Sequence, residues 1–140
     1  MRSLLQLANI RNAKVEELQK ELRKILDELT RKENALKILQ SETIALAQPI
    51  SGAFGDLKNF EETRAIYRRE IKAAQKEIFA HHQRAFQARF HLKRALAEYE
   101  KVNSLVLEER SALALRAKKS EEKRLDDVAI NLRYVTESGR

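Results

Sequence analysis

An apolar residue recurs at alternating steps of three and four along most of this chain, and that spacing dictates what the chain can become. In the first part the series runs Leu4, Ala8, Arg11, Val15, Leu18, Leu22, Ile25, Leu29, Lys32, Leu36, Leu39, Thr43, Leu46, with ten of the thirteen positions apolar. In the second part it runs Phe60, Arg64, Tyr67, Ile71, Ala74, Ile78, His81, Ala85, Ala88, Leu92, Ala95, Tyr99, Val102, Val106, Glu109, Leu113, with thirteen of sixteen apolar. A 3.5-residue period keeps one narrow seam facing a partner helix over many turns, so the pattern predicts a coiled coil.

One stretch interrupts it. Gln48-Pro49-Ile50-Ser51-Gly52-Ala53-Phe54-Gly55-Asp56 holds the only Pro and two of the three Gly of the 140 residues. Pro disfavours helix at the residue before it, which should stop the first helix near Gln48. Asp56 or Asn59 can cap the next helix, and Asn59-Phe60-Glu61-Glu62 has the spacing of a capping box. The expected organisation of residues 1–140 is a single all-α hairpin: helix 3–48, loop 49–56, helix 57–136. The loop is short enough to fold the two helices into an antiparallel coiled coil. Ala74, Ala85, Ala88 and Ala95 would admit close approach opposite the Leu-rich first helix. So few breakers cannot punctuate a multi-stranded sheet, which excludes all-β and α/β folds.

The two helices are unequal, about 70 and 120 Å long at 1.5 Å per residue. Folding about Gly52 would place Leu4 beside roughly Glu100 and leave residues from about Ser104 onward without an intramolecular partner. That overhang stays amphipathic, since Leu125, Val128, Ala129, Leu132 and Val135 follow helical spacing in a frame different from the seam. An amphipathic helix that outruns its partner frays or takes up another protein.

Enzymatic chemistry finds no foothold. Cysteine is absent, which excludes disulfides and thiolate metal sites. There is no Gly-rich phosphate loop, no GxSxG and no His-Glu-x-x-His. His81, His82 and His91 contain no i, i+4 pair, so ordinary seam or surface histidines are expected, with neither metal nor cofactor. No apolar run reaches the roughly 18 residues of a membrane span. The opening Met1-Arg2-Ser3-Leu4-Leu5-Gln6 turns polar too soon for a signal-peptide core. These features predict a cytoplasmic protein.

Charge is concentrated. The net charge is +7, and Arg68, Arg69, Lys72, Lys76, Arg84, Arg89, Lys93 and Arg94 face only Glu70 and Glu77 in the same stretch. Phe79, Phe86 and Phe90 interleave with these cations, just off the inferred seam. The stretch reads as a docking surface for an acidic partner or for nucleic acid, or else as a solvated face whose aromatics pack across the hairpin edge. Ile50 and Phe54, at the tip, are either a binding element or a closure for the seam.

In length, two-helix layout and mid-chain breaker the chain resembles the FliJ/YscO family of type III export stalk proteins. The C-terminal run Glu122-Lys123-Arg124-Leu125-Asp126-Asp127-Val128-Ala129 is similar to that family's Lys-Lys-Met/Leu-Asp-Glu-x-Ala. Leu4-Leu5-Gln6-Leu7-Ala8-Asn9-Ile10-Arg11 and Val15-Glu16-Glu17-Leu18 suit its opening helix. The resemblance implies a non-enzymatic stalk resembling the shaft of rotary ATPases. Its partners would be a hexameric export ATPase, the cytoplasmic part of the export-gate membrane protein, and export chaperones. It implies ATPase docking through Lys123, Arg124, Leu125, Asp126, Asp127, Val128 and Ala129. Gate and chaperone binding would fall to Gln40, Thr43, Ala47, Phe54, Phe60, Arg64 and Tyr67, although Arg64 stands where the family carries an apolar residue. The alternatives are a self-associating coiled-coil adaptor or chaperone, and a basic nucleic-acid-binding coiled coil.

Overall fold

A computed structural model describes residues 1–46 and 54–138. They form two helices, α1 (Arg2–Ala45) and α2 (Phe54–Ser138), and no strand. The helices pack against each other as an antiparallel hairpin in which α2 is the longer, with 85 residues against 44. The helix ends differ from expectation in detail. α1 stops at Ala45, where the Leu46 amide donates to the Thr43 carbonyl at 3.3 Å and tightens the last turn. α2 starts at Phe54, upstream of both residues expected to cap it. Asp56 sits in its first turn, where a carboxylate favours the positive end of the helix dipole, and Asn59 is already inside the helix. Of the expected loop, 49–53 lies outside the described residues.

The chain divides into two packing units. In the Lys14–Arg94 unit the seam is the one that the sequence predicts. Val15 and Leu29 of α1 and His81 and Ala85 of α2 are buried. Leu18, Leu22, Ile25, Leu36 and Leu39 are half-buried, as are Tyr67, Ile71, Ala74, Ile78, Ala88 and Leu92. No large side chain among the described residues is fully buried, because a seam between only two helices keeps water on both flanks. Lys32 Nζ donates to Glu77 Oε2 at 2.8 Å, and His81 Nε2 lies 3.4 Å from Glu28 Oε2. These two pairs set the register: four residues forward on α1 correspond to four back on α2. Extended at the same rate, it brings Ala45 level with Arg64, so Phe54–Thr63 run beyond the described end of α1.

In the unit formed by Met1–Ala13 and Ala95–Arg140, Ala8, Val102 and Val106 form a buried cluster, with Met1, Leu4 and Leu5 packed against it. Arg11 reaches Glu98 at 3.2 Å and the N-terminal amine reaches Glu109 at 3.2 Å. The register expected from a fold about Gly52 is therefore corrected. Ala8 meets Val102 and Val106, so Leu4 lies several residues beyond Glu100. The uncovered part of α2 begins near Arg110, not Ser104. The physical reason is that α2 is helical for several residues before it comes level with the end of α1, which shifts the point of folding away from Gly52.

Five of the six polar residues that interrupt the seam find a local use, Arg64 being the exception. Arg11 and Lys32 turn out to Glu98 and Glu77. Thr43 Oγ1 donates to the Leu39 carbonyl of its own helix at 2.8 Å, and Glu109 takes the N-terminal amine. The buried His81 places Nδ1 2.9 Å from the Glu77 carbonyl, which can only accept, so Nδ1 carries the proton. Polar seam positions of this kind select one register over its neighbours at some cost in stability.

Candidate interaction surfaces

Three surfaces follow from this architecture. The first is the uncovered end of α2. From Arg110 to Glu137 every residue is exposed, although the backbone is helical throughout. The exposed side chains include Leu113, Leu115, Leu125, Val128, Ile130 and Leu132. Lys123, Leu125, Asp126, Asp127, Val128 and Ala129 all lie on this stretch, and its charged members Lys123, Asp126 and Asp127 make no ion pair among the described residues. Arg124 differs: it forks onto Glu121 with Nε–Oε2 at 3.1 Å and a terminal nitrogen to Oε1 at 2.7 Å. That hydrogen bond holds the Glu121 carboxyl below its ordinary value. Sequence reasoning did not find this clamp, though its i, i+3 spacing is the signal that could have.

The second surface is the loop end of the hairpin. Thr43 and Tyr67 are half-buried in the seam, and the register places them within about one residue of being level. Gln40 and Arg64 are exposed beside them, and Phe60 is half-buried one turn earlier on α2. The fold thus gathers Gln40, Thr43, Arg64 and Tyr67 within a few turns. Ala47 lies outside the described residues, as do Ile50 and the side chain of Phe54. Arg64 stands at a seam position level with the described end of α1, and it is exposed.

The third surface lies on α2 within the Lys14–Arg94 unit. Arg68, Arg69, Lys72, Lys76, Arg84, Arg89, Lys93 and Arg94 are all exposed. None of the eight makes an ion pair among the described residues. Of the two acids in their midst, Glu77 is engaged elsewhere: it is hydrogen-bonded by Lys32, which with its charge lowers the Glu77 pKa. Phe79, Phe86 and Phe90 are 65%, 72% and 57% exposed. Packing across the hairpin edge is therefore overturned, and so is their placement just off the seam. Relative to Ile78, His81, Ala85 and Ala88 they occupy heptad positions b, b and f, on the side of the helix away from α1. Phe90 meets His91 edge-on, with ring centroids 5.9 Å apart.

Among the described residues no group of three His, Asp or Glu could hold a metal ion, and the recess beside Phe86 is lined by His82, Gln83 and Gln87 of the same helix. Nor is any helix of the described residues long and apolar enough to cross a membrane.

An antiparallel two-helix hairpin whose longer helix runs on uncovered is a coiled-coil interaction protein. The chain belongs to the family of flagellar FliJ proteins, whose model matches residues 1–137. No curated protein and no solved structure matches it. The family is one of non-enzymatic components of the flagellar export apparatus, so flagellar biogenesis and protein transport are where this chain acts.

Proposed function

We propose that this protein is a central coupling stalk of the export apparatus, acting in the cytoplasm at the base of the flagellum. The uncovered end of α2 docks in the ring of the hexameric export ATPase through the segment Lys123–Ala129. The loop end, with Gln40, Thr43, Ala47, Phe54, Phe60, Arg64 and Tyr67, meets the cytoplasmic part of the export gate and export chaperones. The observation that carries this reading is the exposed helix from Arg110 to Glu137. Such a helix keeps apolar side chains in water at a free-energy cost, which a partner would relieve by covering them. Its length at 1.5 Å per residue, about 40 Å, suits insertion into a ring.

The test is truncation before Ala117, measured on the cognate export ATPase and on the isolated cytoplasmic gate fragment. Stimulation of ATP hydrolysis should collapse while gate binding survives, since the loop end is built from other residues. Full stimulation by the truncated chain would refute the docking assignment.

A further inference from the structure

The basic surface of α2 carries a second apolar stripe that the hairpin does not use. Phe79, Gln83, Phe86 and Phe90 follow steps of four, three and four, the same progression as the seam, but on the far side of the helix. A narrow stripe with this period is matched by another helix lying along it. Arg69, Lys72 and Lys76 continue the stripe upstream and Lys93 continues it downstream, at the same heptad positions. Arg89 and Arg94 flank it, and Arg84 lies further round toward the seam. Three large rings held more than half exposed inside a ring of unpaired cations have the composition of an anchored interface. Aromatic residues bury the area there and charges at the rim steer the encounter.

The charges also say what covers it. In this unit α1, over Lys14–Ala45, carries seven cations and seven anions, so the excess belongs to α2 alone, and α1 lies on the other side. A second copy would bring the same cations to the face. Of the chain's own acids, Glu98 is paired with Arg11 and Glu109 with the N-terminal amine, and those of the exposed end of α2 stand among Arg116, Lys118, Lys119, Lys123 and Arg124. The occupant is therefore a different and acidic molecule. Single-stranded nucleic acid also pairs aromatics with cations, but on a charged groove that tracks the phosphate backbone. Here the rings stand on a convex helix with a seven-residue repeat that a nucleotide chain does not share.

We infer that the outer face of α2 between Arg69 and Arg94 is a docking site for an acidic amphipathic helix, whose apolar residues at four-three spacing pack on Phe79, Phe86 and Phe90 while its carboxylates meet the surrounding cations. The site is separate from the uncovered end of α2 and from the loop end, so the inference stands or falls apart from the stalk reading.

The experiment uses the full chain and three fluorescent probes, with anisotropy followed as salt is raised. The first is a helical peptide of about 25 residues with Leu at four-three spacing flanked by Glu, long enough to match the stripe at 1.5 Å per residue. The second is the same peptide with Lys in place of Glu, and the third is a single-stranded oligonucleotide. The acidic peptide should bind, weaken with salt, and lose about tenfold or more in affinity to the Phe79→Ser/Phe86→Ser/Phe90→Ser variant. The lysine peptide should not bind. Circular dichroism checks that the variant keeps its helices, and Arg84→Glu/Arg89→Glu/Lys93→Glu supplies a second variant that leaves the rings in place and should also weaken binding. Failure of the acidic peptide to bind overturns the inference, as does equal binding by the serine variant. An oligonucleotide that outcompetes the peptide and depends on the same rings would assign the face to nucleic acid instead.

Discussion

Leu29 is the best place to test the seam, because it is only 7% exposed and lies in the same unit as the pairs that fix the register. Leu29→Ala removes three carbons from a nearly dry position, a transfer loss of about 2.4 kcal/mol at 0.8 kcal/mol per methylene. In a large core a cavity term would add to this. A two-helix seam has water along both flanks, so the gap is wetted or closed and the cost stays near the transfer value, about 2–3 kcal/mol. Leu22 is half-buried and lines an open groove with Gln19, Arg23, Leu26 and Leu92, so Leu22→Ala should cost about half as much. Leu115 is 53% exposed, and Leu115→Ala should stay within about 0.5 kcal/mol. Thermal and urea melts followed by circular dichroism would give the order Leu29, Leu22, Leu115, with Leu29→Ala lowering the midpoint on the order of 10 °C. A shift of a degree or two for Leu29→Ala, or a larger loss at Leu22 than at Leu29, would refute the seam and the argument from its wet flanks.

Three further outcomes follow from the same geometry. Truncation before Ala117 removes 22 of the 85 residues of α2, all exposed where described, so the midpoint should hold while the helical signal falls; a sharp drop in the midpoint would mean that the tail packs on the hairpin. Lys32 lowers the Glu77 pKa, so this pair's contribution is complete above the ordinary glutamate range and is lost as pH falls through the lowered value; Glu77→Gln should flatten that acid limb in a pH titration of stability, and an unchanged limb would discount the pair. A Cβ at Gly55 would meet nothing within 4 Å and its φ is not positive, so Gly55→Ala should raise stability by up to about 0.5–1 kcal/mol, and a loss would contradict the open surroundings.

The face of each helix was legible in the sequence, whereas the level of one helix against the other was not. Val15, Leu29, Ala85 and Val106 could be assigned to the seam because four-three spacing leaves a single stripe facing the partner. Sliding one helix along the other changes which residues meet without changing that stripe. The residues that fix the level are Glu28, Lys32, Glu77 and His81, which look like surface charges or seam faults until the register is known. Phe79, Phe86 and Phe90 misled for a related reason. Large aromatic residues are expected to seek cover, which keeps packing at the hairpin edge open beside the docking reading, although their heptad positions put them on the far side.

The same counting explains why the end of α2 is not simply a hairpin arm with its partner missing. Beyond Val102, Val106, Glu109 and Leu113, continued four-three steps reach Arg116, Ser120, Lys123 and Asp127. A longer α1 following the existing seam would therefore meet charged and polar residues, while Leu125, Val128 and Leu132 would still face water. Their frame is rotated away from the seam, so lengthening the hairpin could not bury them. A partner that covers these residues approaches from another side of the helix than a second arm of the same coil would.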